Sequence, residues 1–299
     1  MWLILATISV FMQSLVNYID EYLTNNNKVP DKSDTFTKIG GLVLISTLMS
    51  FAGAGVMMLI PHDPTTTTKA IALALLSSLP MVAMYISYFW LLYTYPVHQV
   101  VPLFQLSSAW LLAFGLMSGE TVSFSGIMGI AVLMYGAYIL DTGTFKWQIP
   151  TKLLMFGIPA TSTYALALFL AKVSSEEISP IAFSYYQMLG IGVIGVLLFL
   201  VVRRFREGFL LRIKRQGKTF LGLSLVNESL AEGSFLFGNM AVAVAPVAAY
   251  VSAMAGVQSV FVMLLFLFFP QGERTKTKPI QWLATILVAI GVFLLELKN

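Results

Sequence analysis

The sequence predicts an all-α polytopic membrane protein, with about ten transmembrane helices in two inverted five-helix repeats. Three observations lead there: the composition, a succession of apolar runs of bilayer-spanning length, and a weak echo of the first half in the second. Of the 299 residues, 58% are hydrophobic and 11% charged, where an ordinary soluble domain is about one quarter charged. The mean hydropathy of +0.82 points the same way. A net charge of +4 would suit nucleic acid, but the basic residues lie in short connectors between apolar runs, where they act as topology signals. Nucleic acid is therefore not an expected partner. There is no cysteine, which excludes disulfides and thiolate metal sites.

Spans are predicted at 2 to 23, 39 to 60, 70 to 93, 98 to 118, 122 to 141, 152 to 172, 180 to 202, 219 to 243, 246 to 269 and 279 to 297. About twenty apolar residues at about 1.5 Å each cross a hydrocarbon slab about 30 Å thick. Pro, Gly and charge mark the ends. The first run lacks the basic n-region and small-residue cleavage site of a signal peptide, so it is read as span 1. No connector is long enough for a soluble domain. The two longest are NNNKVPDKSDTFTK (25 to 38) and RRFREGFLLRIKRQGK (203 to 218). The second mixes Phe209, Leu210, Leu211 and Ile213 with cations, the pattern of a short amphipathic helix on the membrane surface.

Laid over each other, the halves 1–149 and 150–299 repeat a few signals in order. Pro96 opens a segment ending in SGETVSFSGIMGIAVLMYGAYILD, and Pro246 one ending in QGERTKTKPIQWLATILVAIGVFLLE. Gly119 and Glu120 pair with Gly272 and Glu273, Gly136 with Gly291, and Asp141 with Glu296. Five spans per half turn the second half over in the membrane, and the interface of such a repeat is the expected place for substrate.

The Pro-opened segment PVHQVVPLFQLSSAW, the Gly119-Glu120 pair, the glycine-rich GIMGIAVLMYGAYIL and their echo resemble the EamA-type drug/metabolite transporter superfamily over nearly the whole chain. NYIDEYL (17 to 23), VVPLFQL (100 to 106) and NES (227 to 229) resemble a bacterial subset of it. The resemblance implies a cofactor-free ten-helix carrier of the bacterial cytoplasmic membrane for metabolites, amino acids, nucleotide sugars or drugs. It also implies a site lined by spans 1, 3, 6 and 8; substrate does not follow from the fold. Of the 18 Lys and Arg, fifteen lie in connectors after odd-numbered spans, and only Lys69, Lys172 and Lys298 on the other side. By the positive-inside rule the odd connectors are cytoplasmic and both termini outside. The resemblance implies termini inside, and the charge asymmetry outweighs it.

Span 8 carries the strongest functional signal. Counting from Lys218, Glu228 lies about 15 Å and Glu232 about 21 Å along the helix, near the middle of the slab and beyond snorkelling reach. Ser224, Glu228, Glu232, Phe235 and Asn239 fall in one stripe. A carboxylate at that depth costs at least about 2.5 kcal/mol and marks a substrate, ion or proton route. The structural alternative is a hydrogen-bonded pair that fixes packing. Asn227 and Asn239 accompany the acids as candidates. Span 1 has a stripe of Ser9, Gln13, Asn17 and Asp20, with Gln13 and Asn17 deep and Asp20 near the cytoplasmic end, where solvation is the structural alternative to a site. Such side chains also serve as interhelical glue. Tyr85 and Tyr88 of span 3 are deep enough to line a cavity or to pack in the core. Gln105 and Gln258 of spans 4 and 9 complete the set, with Ser107, Ser108, Tyr250, Ser252, Ser259 and the run Thr161, Ser162, Thr163, Tyr164 behind them. Trp90, Tyr93 and Tyr95 read as interfacial belt residues.

Glu120 and Glu273 read as caps of the following helix or partners of connector cations. His62 and His98 are isolated, so no metal site is expected. No GxSxG or GxxxxGK[ST] motif occurs, which argues against ATP-driven transport by this chain alone. The reading is a secondary active transporter, not an enzyme, moving a small metabolite, amino-acid-like or drug-like solute by alternating access, with protons coupled through Glu228 and Glu232. Two alternatives stay open. One is a lipid flippase of the same fold; the less favoured is a membrane-embedded lipid enzyme with the two glutamates as acid and base. Oligomeric state is left open.

Overall fold

A computed structural model describes residues 1–25, 34–60, 66–95, 97–146, 149–268 and 278–297. Gly272, Glu273, His62, Pro96 and the cations Lys28, Lys32, Arg274, Lys276 and Lys298 lie outside the described residues, as does the side chain of His98. Among the described residues every element is an α-helix: α1 (Trp2–Asn25), α2 (Thr35–Leu59), α3 (Thr68–Thr94), α4 (Val97–Phe104), α5 (Leu106–Met117), α6 (Phe124–Thr142), α7 (Thr151–Ser174), α8 (Pro180–Val201), α9 (Arg203–Val244), α10 (Ala248–Ala253), α11 (Ala255–Phe268) and α12 (Pro279–Glu296).

Local chemistry places the ends. Asp34, Thr67, Ser123 and Ser179 cap α2, α3, α6 and α8 by accepting from the backbone N–H three residues on, which satisfies one of the orphan donors of each first turn. Pro180 sits at the first helical position of α8, where its missing N–H is harmless. Gly143, at φ 65°, closes α6 in the left-handed conformation.

Nine helical segments among the described residues are long and apolar enough to cross a membrane. This is a multi-pass membrane protein. Large apolar side chains such as Leu59, Met117, Phe124, Val201 and Phe268 are exposed on its surface, where lipid is their natural neighbour. The expected span 8 is helical as the second part of α9 but is not among the nine, because Asn227, Glu228, Glu232 and Asn239 lower its hydropathy. Spans 4 and 9 each cross as one apolar segment (Gln99–Met117 and Ala248–Leu265), interrupted at a single residue, Gln105 between α4 and α5 and Met254 between α10 and α11, whose backbone stays right-handed helical. Pro102, inside α4, removes an N–H and crowds the turn before it.

The connector 203 to 218 is helical as expected, and a kink at Gly217 (φ 58°, ψ −141°) separates it from the rest of α9. Its packing differs from a simple surface helix. Gly208 meets the start of α2, where an added Cβ would lie 2.0 Å from the Thr37 carbonyl oxygen, and one on Gly40 would lie 2.5 Å from the Phe205 Cα. Arg212 is fully buried there and donates to the Lys38 carbonyl and the Tyr93 hydroxyl. Tyr93 therefore holds a cation rather than acting only as a belt residue.

α1 packs on α9, α2 on α8 and α9, α3 on α7 and α8, and α6 on α12. The last pair approaches through small residues: a Cβ on Gly291 would lie 3.0 Å from the Leu133 backbone N, and one on Gly129 3.1 Å from the Gly291 carbonyl oxygen. Membrane helices gain contact this way, since lipid provides no hydrophobic drive between them. Gly129→Leu and Gly291→Leu should each destabilise the fold by about 1–3 kcal/mol through overpacking. Gly55→Leu, with nothing within 4 Å, should be neutral. Thermal unfolding in detergent checks this, and equal losses at all three positions would contradict the close approach.

Candidate functional site

The polar stripe of α1 is brought to the middle of the bundle. Ser9, Gln13, Asn17 and Asp20 all line a cavity of about 130 Å³. α9 forms the facing wall with Asn227, Glu228, Ser234 and Phe235; α3 adds Tyr85 and Tyr88, α7 adds Tyr164, and spans 4 and 9 contribute Gln105 and Gln258. Eight of the ten candidate residues thus meet on one cavity: Gln13, Asn17, Tyr85, Tyr88, Gln105, Asn227, Glu228 and Gln258. Helices of spans 4 and 9 line it together with those of spans 1, 3, 6 and 8.

Asp20, for which solvation at the end of span 1 is the alternative to a place in the site, is 3% exposed and lies on the cavity wall. Asn227 Nδ2 donates to its Oδ1 at 2.9 Å, and the Tyr88 hydroxyl lies 3.2 Å from both Asp20 Oδ2 and Asn17 Oδ1. α1 continues to Asn25, so Asp20 is more than a turn inside its helix. Its place on the stripe of Gln13 and Asn17 was the signal that marked it.

Glu228 and Glu232 form two rungs against α2. Ser46 Oγ donates to Glu228 Oε1 at 2.7 Å, and Ser50 Oγ to Glu232 Oε1 at 2.7 Å. Because both pairs are spaced by four residues, the helices stay in register over one turn. Only Glu228 lines the cavity. Glu232 turns toward Gly53 and Met188, and its Oε2 has no hydrogen-bond partner. A side chain at position 53 would meet that oxygen at 2.9 Å, so glycine makes the room. Asn239 also lies off the cavity, donating to Ser184 Oγ at 3.0 Å and Gln187 Oε1 at 3.2 Å. α9 packs on both α1 and α2, so a single stripe is divided between the cavity and the seam.

The two helix junctions are stapled together. Gln105 Nε2 donates to the Ala255 carbonyl at 2.8 Å, and Ser252 Oγ lies 3.0 Å from Ser107 Oγ and 3.2 Å from Ser108 Oγ. The remaining hydroxyls divide: Thr161, Ser162 and Thr163 bond carbonyls of their own helix, and Ser259 donates to Asp141. No Lys, Arg or His is among the residues lining the cavity.

Glu120 caps a helix, though not the following one, which Ser123 caps. The N–H of Ala248, first residue of α10, hydrogen-bonds to its carboxylate, and Lys172 is near. Its Oε2, packed on Gly115, has no partner. Burial therefore outweighs Lys172 and the Ala248 N–H and holds this carboxyl above its usual 4.5.

No family model and no curated protein matches this chain. Twenty-eight chains of solved structures do match it. One, described only as "Crystal structure of protein", aligns over 98% of this chain and 97% of its own with TM-score 0.60 and 12% identity. That likeness shows a shared fold over the full length.

Asn227→Ala should cost about 1–3 kcal/mol by leaving buried Asp20 short of a donor, and Asp20→Asn in the same background should recover part of it. Additive losses in a double-mutant thermal unfolding cycle would deny the pair. For Glu120 the sign follows from its raised value. The folded state favours the protonated form, so that contribution is full below 4.5 and fades as pH rises through the folded value. The melting temperature of Glu120→Gln minus that of wild type should therefore grow between acid and neutral pH; a constant difference would rule this out.

Proposed function

We propose that this protein is a secondary carrier of the EamA drug/metabolite-transporter type, moving a small solute by alternating access with Glu228 as the proton-exchanging group. The observation that carries the proposal is the cavity where helices of both halves meet, with Glu228 and Asp20 on its wall at membrane depth. Acids held there at such a cost are expected on ion or proton routes.

The helix pairings support an inverted repeat. α1 packs on α9 as α7 packs on α3, and α2 packs on α9 as α8 packs on α3. α2 with α8, and α6 with α12, are partners across the middle. Exchanging each helix for its counterpart five spans on maps these pairings onto one another. The polar contacts follow the same rule: Ser46 and Ser50 of α2 serve the glutamates of α9, while Gln187 of α8 bonds Ser77 and Ser78 of α3. Between these two matching helices acids occur on α9 and not on α3, so the proton-exchanging role assigned to Glu228 has no counterpart on α3. Gln105 and Ser252, beside the helix junctions of spans 4 and 9, place two corresponding segments of the halves next to the cavity.

The charge asymmetry supports cytoplasmic odd-numbered connectors. Asp34 and Arg204 bridge the first and seventh at 3.3 Å, and Lys278 before α12 packs on Gly143 after α6. As an acid–base pair for an embedded lipid enzyme, Glu228 and Glu232 are poorly disposed, since only one of them lines the cavity.

Proteoliposomes loaded with pools of labelled small metabolites test the carrier. Counterflow should exchange label of unchanged mass, and a pH gradient should drive accumulation in wild type. Glu228→Gln should abolish the gradient-driven part, whereas Glu232→Gln should retain it at reduced stability. Gradient-driven accumulation surviving in both variants would remove the proton role.

A further inference from the structure

Two buried acceptors on residues of the cavity wall are left without a partner. Asn227 spends its Nδ2 on Asp20, and Gln105 spends its Nε2 on the Ala255 carbonyl. Those bonds fix which way each amide points, since a flip would set oxygen against oxygen. What remains are Asn227 Oδ1 and Gln105 Oε1, both without a partner, on residues only 2% exposed that line the cavity. Each unsatisfied buried acceptor of this kind is costly. Asp20 and Glu228 are acceptors too when ionised, and no cation lines the cavity. The wall asks for N–H or O–H donors and for positive charge.

We infer that the cavity binds a small protonated primary amine, its ammonium group seated among Asp20, Asn227 and Glu228. An ammonium brings three donors and one charge and has no acceptor to satisfy. Its alkyl part meets Phe104, Tyr85 and Phe235, and aromatic faces add attraction for a desolvated cation. An amino-acid zwitterion fits less well, because its carboxylate finds no cation on this wall and must face Asp20 and Glu228. Phosphorylated solutes are excluded on the same ground. At about 130 Å³ the cavity is also smaller than the roughly 300–1,000 Å³ typical of drug-sized ligands. This inference rests on the carrier reading for its biological use, but binding can be measured without transport.

The test uses the full-length protein in detergent and four probes: n-butylammonium, tetramethylammonium with the charge but no donors, n-butanol with neither charge nor ammonium, and norvaline, which adds a carboxylate to the amine. Thermal stabilisation should rank n-butylammonium first, with apparent Kd at least about tenfold weaker for the other three. Asp20→Asn and Glu228→Gln should each weaken n-butylammonium by about tenfold or more, while Glu207→Gln, an exposed partner of Arg203, should not. The wild-type ranking needs no variant to fold. Equal binding of n-butanol or norvaline, or no stabilisation by n-butylammonium at millimolar concentration, overturns the amine site and leaves the carrier reading standing. Ranked binding without n-butylammonium counterflow in proteoliposomes supports the amine site and overturns the carrier reading.

Discussion

The fold is organised around the cost of burying carboxylates inside a bundle of apolar helices. An acid removed from water must find hydrogen-bond donors, a counter-charge or a wet cavity. α9 carries two, and α1 adds a third in Asp20. Ser46, Ser50, Asn227 and Tyr88 supply the donors. To bring them there, α9 packs on α1 and α2 together, which leaves the space between α1, α3, α7 and α9 as a polar cavity rather than a filled core.

Close helix packing elsewhere makes this arrangement affordable. Small residues let α6 meet α12 and let the connector helix meet α2, so backbones touch where lipid would otherwise intrude. Glycine at position 53 does something different: it leaves room for the Glu232 carboxylate, which a methyl group would crowd. Gln105 and Ser252 lie beside the helix junctions of spans 4 and 9, so regrouping their hydrogen bonds would alter the cavity wall directly.

The two glutamates show how a shared helix face becomes two environments. Four residues apart, they both meet serines of α2, yet one borders open space and the other a seam with α8. The consequence is two environments for one stripe, with Glu228 on the cavity wall and Glu232 between α9, α2 and α8. Similarly Asn239 ties α9 to α8 through Ser184 and Gln187 and lies off the cavity.

Membrane residence, the helix positions, the burial of Glu228 and Glu232 and the stripe of Ser9, Gln13, Asn17 and Asp20 were legible in the sequence alone, because hydropathy, rise per residue and helical period are local properties. Tertiary structure decided the rest. It chose which glutamate borders the cavity, buried Asp20 beneath Asn227 and Tyr88, turned Glu120 onto α10 instead of α6, and interrupted spans 4 and 9 at Gln105 and Met254. The reason is angular: periodicity states where a side chain sits around its own axis, but only the neighbouring helices determine whether that direction meets protein, a cavity or lipid.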